Sequence, residues 1–311
     1  MYKTKTEYEK IIKKLKEKGE VFPGTKDSVF KSLIGDEELK DFTAFLISNC
    51  NGRILEEDNM VFINTEGTKK NIADKVNIHD VLIDVGNGRI SLEANGEYSK
   101  ELIFRNMAHF YEGASKVINV SYRSGRELYY EQINFDAFDN GDDLVSIYKW
   151  LNVKTGKEDL SEKNFVKYHI NLALIYKKYY TYGEELTRFE KALAILSFNK
   201  IKDLRKIAKG DEMLMRVEKK IEDLCDNIDL VRYIDDEKAM EFGRKLDIEE
   251  AAKKAAEKAA KEAAKKASEE TSKKEKIETA KKMLKDNLDI DTICKYTDLT
   301  KEEIENLKTD I

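Results

Sequence analysis

Two apolar runs flank a Val-Gly-Asn-Gly turn in DVLIDVGNGRISLEAN, Asp80 to Asn95, and commit the chain to an antiparallel β-hairpin. Whether the loop is Gly86-Asn87 or Asn87-Gly88, Val81, Ile83, Ile90 and Leu92 share one face and the acids share the other. In the first register Asp80 pairs with Glu93 and Asp84 with Arg89. In the second Asp80 pairs with Asn95, and Glu93 is its diagonal neighbour. Like charges opposite each other on a sheet are destabilising by roughly 0.2–1 kcal/mol. Asp84 has Arg89 to answer it, whereas Asp80 and Glu93 have no cation in the hairpin. Solvent can screen them, one can take up a proton, or a divalent cation can sit between them. Oxygen-only ligands favour a hard ion such as Mg²⁺ or Mn²⁺, which polarises a phosphoryl oxygen and generates hydroxide.

The hairpin sits in a mixed pattern. A Lys-rich helical leader precedes GTKDSVFKSLIGDEELKDFTAFLISNC, whose apolar residues recur at helical spacing around a break at Gly35. NMVFINT, 59–65, has strand composition and is followed by the polar loop EGTKKNIADK. After the hairpin a helix starts at Ser99, with Leu102, Ile103, Met107 and Phe110 as its core stripe and Gly113 as its end. RELYYEQINFDAF alternates as a strand, and LVSIYKWLNV and FVKYHINLALIYKKYY extend the sheet to about residue 180. The order is helix, three strands, helix, strand.

From Gly183 the texture becomes long helices, and the expected division is 1–180 for the α+β domain, 181–246 for a helical region, 247–275 for a spacer helix and 276–311 for a small helical module. In EEAAKKAAEKAAKEAAKKA the Ala pairs repeat every four residues while the helix turns every 3.6, so the stripe drifts around the axis and makes no fixed seam. Thr300 and Glu303 form a capping box for the last helix. Its Glu302, Glu303 and Glu305 suit packing better than phosphate contact, and the helical C-terminal region is a candidate homo-oligomer contact.

Composition narrows the classes. The charged fraction is 38% but acids and bases nearly cancel to −5, so neither presence nor absence of a nucleic-acid partner follows from net charge. Cys50, Cys225 and Cys294 are isolated, and His79, His109 and His169 form no ligand spacing with them, which excludes a disulfide framework and a zinc finger. No run of about 18 apolar residues occurs, so no membrane partner is expected and the cytoplasm is the default address.

An acid, a spacer turn and then LEAN, in the helix, three strands, helix, strand order, resembles the PD-(D/E)xK nuclease superfamily. More narrowly, the chain resembles its recombination-promoting nuclease or putative transposase group, through VFKSLIGDEELKDFTAFLISN, HDVLIDVGNGRISLEANGEYSKELIFRN and AKKMLKDNLDIDTICKYTDLTKEEIENL. The resemblance implies a restriction-endonuclease-like core and a Mg²⁺-dependent DNA endonuclease of low sequence specificity, with Mn²⁺ as the other candidate ion. By it, Asp80 and Glu93 hold the metal. Asn95 stands where the superfamily has lysine and this group commonly has glutamine; it can orient water but cannot neutralise charge. Lys100 or Arg105 would supply that charge, and Arg105 matches an arginine of the family, although an ion pair with Glu101 is its ordinary reading. Glu38 belongs to an ordinary charged helical face, His79 points to the apolar side of the hairpin, and His109 fits either the cleft or a helix surface. The alternative function is a catalytically degenerate core that binds nucleic acid or protein.

Overall fold

The computed structural model describes residues 3–63, 79–141, 143–159 and 163–308. They form a mixed α+β structure around an open six-stranded sheet. The first compact unit, 1–236, begins with α1 (Lys5–Lys18), α2 (Asp27–Ile34) and α3 (Lys40–Asn51), α2 and α3 being separated at Gly35 by a short 3₁₀ turn. The strands are β1 (Val61–Ile63), β2 (Val81–Asp84), β3 (Gly88–Asn95), β4 (Tyr129–Asp136), β5 (Val145–Tyr148) and β6 (Phe165–Asn171), in the order β1-β2-β3-β4-β6-β5. The expected polar loop after β1 lies outside the described residues.

Val81 faces Leu92 and Asp84 faces Arg89, which selects the Gly86-Asn87 loop; Gly86 has φ +79°, a conformation that favours glycine at this turn position. α4 (Lys100–Ser124) then crosses from β3 to its parallel neighbour β4, and β6 lies parallel to β4 on the far side. Ser99 caps α4 by accepting from Leu102 N.

The buried stripe of α4 departs from expectation. Ile103 and Met107 are exposed, and the face turned inward carries His109, Phe110, Gly113, Ala114 and Val117. The helix does not end at Gly113 but runs to Gly125. Gly113 is required by close packing: a Cβ there would lie 2.3 Å from the Tyr130 hydroxyl.

The sheet also ends earlier than expected. After Asn171 the chain turns into α5 (Leu172–Tyr176) and a π-helical turn, Lys177–Thr181. Leu172 and Ile175, three apart, bury together, so the aromatic-rich LALIYKKYY follows a helical period despite its strand-like composition.

α6 (Arg188–Ser197), α7 (Ile201–Ala208) and α8 (Glu212–Asp226) are not set apart from the sheet. Leu193, Leu204, Leu214 and Val217 join Phe30, Phe42, Ile133 and Phe135 in one core, so the compact unit runs past residue 181. Each fully buried Leu, Ile or Phe there stabilises the fold by about 1.5–3 kcal/mol. α9 (Ile228–Lys285) covers the Ala-rich stretch, whose described side chains between 253 and 275 are exposed. In the second unit, 237–311, α10 (Ile290–Thr297) and α11 (Lys301–Lys308) enclose Ala280, Ile293, Leu299 and Ile304, and Thr300 and Glu303 make the expected reciprocal cap. Among the described residues no helix is long and apolar enough to cross a membrane.

Candidate functional site

β3, β4 and β6 present two unlike faces. Leu92, Ile133 and Tyr168 stand in register on the face toward α2 and α3, followed by Ala94, Phe135 and Ile170. On the opposite face, toward α4, the register aligns Ser91 with Gln132 and Lys167, Glu93 with Asn134 and His169, and Asn95 with Asp136 and Asn171. Seven of these nine polar residues are buried; Lys167 and His169 are partly exposed. Alternation in YYEQINFD and FVKYHIN places them there, because successive side chains of a strand point to opposite faces.

Two connected groups stand out. In the first, Glu93 Oε1 lies 3.1 Å from His79 Nδ1 and Oε2 lies 2.9 Å from His109 Nδ1, while Ser91 Oγ donates to Oε1 at 2.7 Å. All three of His79, Glu93 and His109 are nearly inaccessible, and His79 Nε2 has no partner among the described residues. Burial by itself would raise the Glu93 carboxyl, but the hydrogen bonds from His109 and His79 prevail and hold it near 2.

The second group runs along the carboxyl ends of the strands. Arg105 Nη2 donates to Asn95 Oδ1 at 3.1 Å, Asn95 Nδ2 donates to Asp136 Oδ1 at 2.7 Å, and His169 Nδ1 lies 2.8 Å from Asp136 Oδ2. Asn140 donates to the same Asp136 oxygen at 2.9 Å, and the Tyr148 ring meets His169 edge-on at 5.3 Å. The Asp136, Asn140, Tyr148 and His169 end of this row lines a cleft of about 370 Å³, with Tyr98, Asn106, Gln132, Phe138 and Lys167 among the other lining residues. Gln132 Oε1 and Asn106 Oδ1 are buried at its wall without partners among the described residues.

The expected site residues are therefore divided. Glu93 and Asn95 belong to the sheet face under α4, and Arg105 reaches Asn95 from α4 itself. Asp80 precedes β2 and breaks its alternation: Asp80 Oδ2 accepts from Ala94 N at 2.8 Å, and Oδ1 lies 3.6 Å from Lys31 on α2. Burial raises its carboxyl well above the usual range, and the Glu93 charge adds to the rise. His79, expected on the apolar side, takes the place beside Glu93. His109 is a buried partner of Glu93, Lys100 is exposed, and Glu38 is exposed in the 3₁₀ turn.

An oxygen-only Mg²⁺ site would need Asp80 and Glu93 to turn free oxygens to one point. Asp80 is bound to Ala94 and Lys31, and both Glu93 oxygens meet imidazole nitrogens, so the two acids as placed do not fit that ion. Sequence reasoning missed Gln132, Asn134, Asp136, Lys167 and His169; the signal was their period-two spacing between apolar residues, a pattern that equally describes a solvated sheet face. The chain matches no family model, no curated protein and no solved structure.

Proposed function

We propose that the chain is a DNA endonuclease that hydrolyses phosphodiester bonds in the cleft over the carboxyl ends of β3, β4 and β6. The observation that carries this reading is the linked row Arg105, Asn95, Asp136 and His169, whose Asp136 and His169 line that cleft. Open sheets with parallel strands take ligands at the strands' carboxyl ends. Arg105, exposed at the end of the row, offers a guanidinium to phosphate and to charge developing on it. Asp136 accepts from His169 Nδ1, leaving Nε2 to take a proton from the attacking water. Asn95 is a positioning residue, with its amide nitrogen held by Asp136 and its carbonyl by Arg105. Lys167 adds positive charge, and Tyr98, Phe138 and Tyr148 offer rings on which bases stack. The element order supports the restriction-endonuclease-like plan of the PD-(D/E)xK resemblance.

A second reading has one observation in its favour: Asp80 and Glu93 direct their oxygens to protein partners. On it the core is catalytically degenerate and binds nucleic acid or protein. Cleavage of supercoiled plasmid with Mg²⁺ or Mn²⁺, beside an EDTA control and Asn95→Ala, Arg105→Ala and His169→Ala, separates the two. The nuclease reading expects nicking that all three substitutions reduce. No cutting with any metal, from a chain that still retards DNA in a gel, would establish the binding module instead.

A further inference from the structure

We propose that His79, Glu93 and His109 form a binding site for a borderline divalent transition ion of the Zn²⁺ class. One ligand atom from each of these three buried residues lies within 4.8 Å of the others, and the cluster is formed of two imidazoles and one carboxylate. Imidazole nitrogen suits Zn²⁺, Fe²⁺ and their neighbours, whereas Mg²⁺ prefers oxygen alone. Spacing agrees with chemistry. An ion bound at about 2.1 Å sets adjacent ligand atoms about 3.0–3.4 Å apart. The two nitrogen–oxygen separations, 3.1 Å to Oε1 and 2.9 Å to Oε2, lie in or just below that range, so an ion drawn in between the imidazoles and the carboxylate displaces the two protons they now share. Ser91 Oγ donates to Glu93 Oε1 at 2.7 Å and lies 3.0 Å from His79 Nδ1, so it touches two of the ligand atoms and orients them.

The three residues come from separate parts of the chain: His79 precedes β2, Glu93 lies on β3 and His109 on α4. An ion there ties α4 to the strands beneath it. Its burial makes this first a device for holding the face together, and it stands on donor geometry alone, whether or not the cleft cuts DNA.

The test starts from full-length chain stripped with EDTA and dialysed, then titrated with Zn²⁺ against a chromophoric chelator. One ion per chain and a rise in Tm on Zn²⁺ addition are expected, with affinity falling at least about 10–100-fold in His109→Gln and His79→Gln. Co²⁺ put in place of Zn²⁺ gives a second readout in the unaltered chain, because its visible spectrum reports nitrogen ligation. Absence of Zn²⁺ uptake, uptake unchanged in both variants, or a Co²⁺ spectrum of oxygen ligation alone would overturn the proposal. Zn²⁺ uptake without DNA cleavage leaves this site standing and removes the nuclease reading; Mg²⁺-dependent cleavage without Zn²⁺ uptake does the reverse.

Discussion

On one side of the central strands Leu92, Ile133 and Phe135 pack against Phe30 and the helices beyond it; on the other, in the same register, Glu93, Asn134 and Asp136 lie under α4. The first face explains why the chain folds. The second does not, since a buried polar group left unsatisfied costs about 1–3 kcal/mol and even a satisfied one returns little net stability. Apolar packing and buried polar groups thus occupy opposite sides of one sheet, and each side has its own way of failing.

The largest effect is expected on the apolar side. Phe135→Ala removes a fully buried ring and is expected to destabilise by about 3–5 kcal/mol in urea unfolding. A loss below about 1 kcal/mol would break the contrast at its root. Gly113→Ala comes next, at about 1–3 kcal/mol, because the added methyl meets Tyr130 and pushes α4 from the polar face. An unchanged urea midpoint would mean that the approach of α4 is not what holds this face closed.

Asp80 sharpens the comparison through pH. Its folded pKa is raised, so its stability contribution is complete below the unfolded value near pH ~4 and is lost as pH rises through the folded value. Asp80→Asn is therefore expected to raise Tm at alkaline pH by about 2–4 °C, with the gain shrinking toward acid pH. Thermal melts across pH that show a constant difference would remove charge burial as the cause. The smallest effect on stability is expected for Arg105→Ala, within about 1 kcal/mol of the parent, because the residue is exposed and gives up a hydrogen bond to Asn95. Plasmid cleavage by the same variant is expected to fall; a large stability loss would make the polar face structural after all.

Much of the framework was legible because strand alternation and turn chemistry are local. The shared face of Val81, Ile83, Ile90 and Leu92 follows from either two-residue loop, the structure selecting Gly86-Asn87, and the break at Gly35 follows from helical spacing. Local rules stop where an element stops. Alternation was carried two residues beyond the start of β2, which exchanged the surroundings of His79 and Asp80. On α4 the expected stripe holds at Phe110, which is buried with Ala114 and Val117, and fails at Ile103 and Met107, which helical spacing alone cannot tell from residues lining an open cleft. Nor can alternation tell water from a covering helix, so the residues of β4 and β6 carried no mark of burial.

α4 itself is anchored unevenly. Phe110, Ala114 and Val117 pack with Leu82 and Tyr130, while Ile103 and Met107, nearer its start, are exposed along the cleft and Phe104 is exposed beside them in sequence. Its amides are therefore expected to exchange with deuterium in two classes, quickly over the first turns and slowly from His109 onward. A helix clamped at one end and loose at the other is expected to open locally, its first turns detaching while the core beneath stays closed.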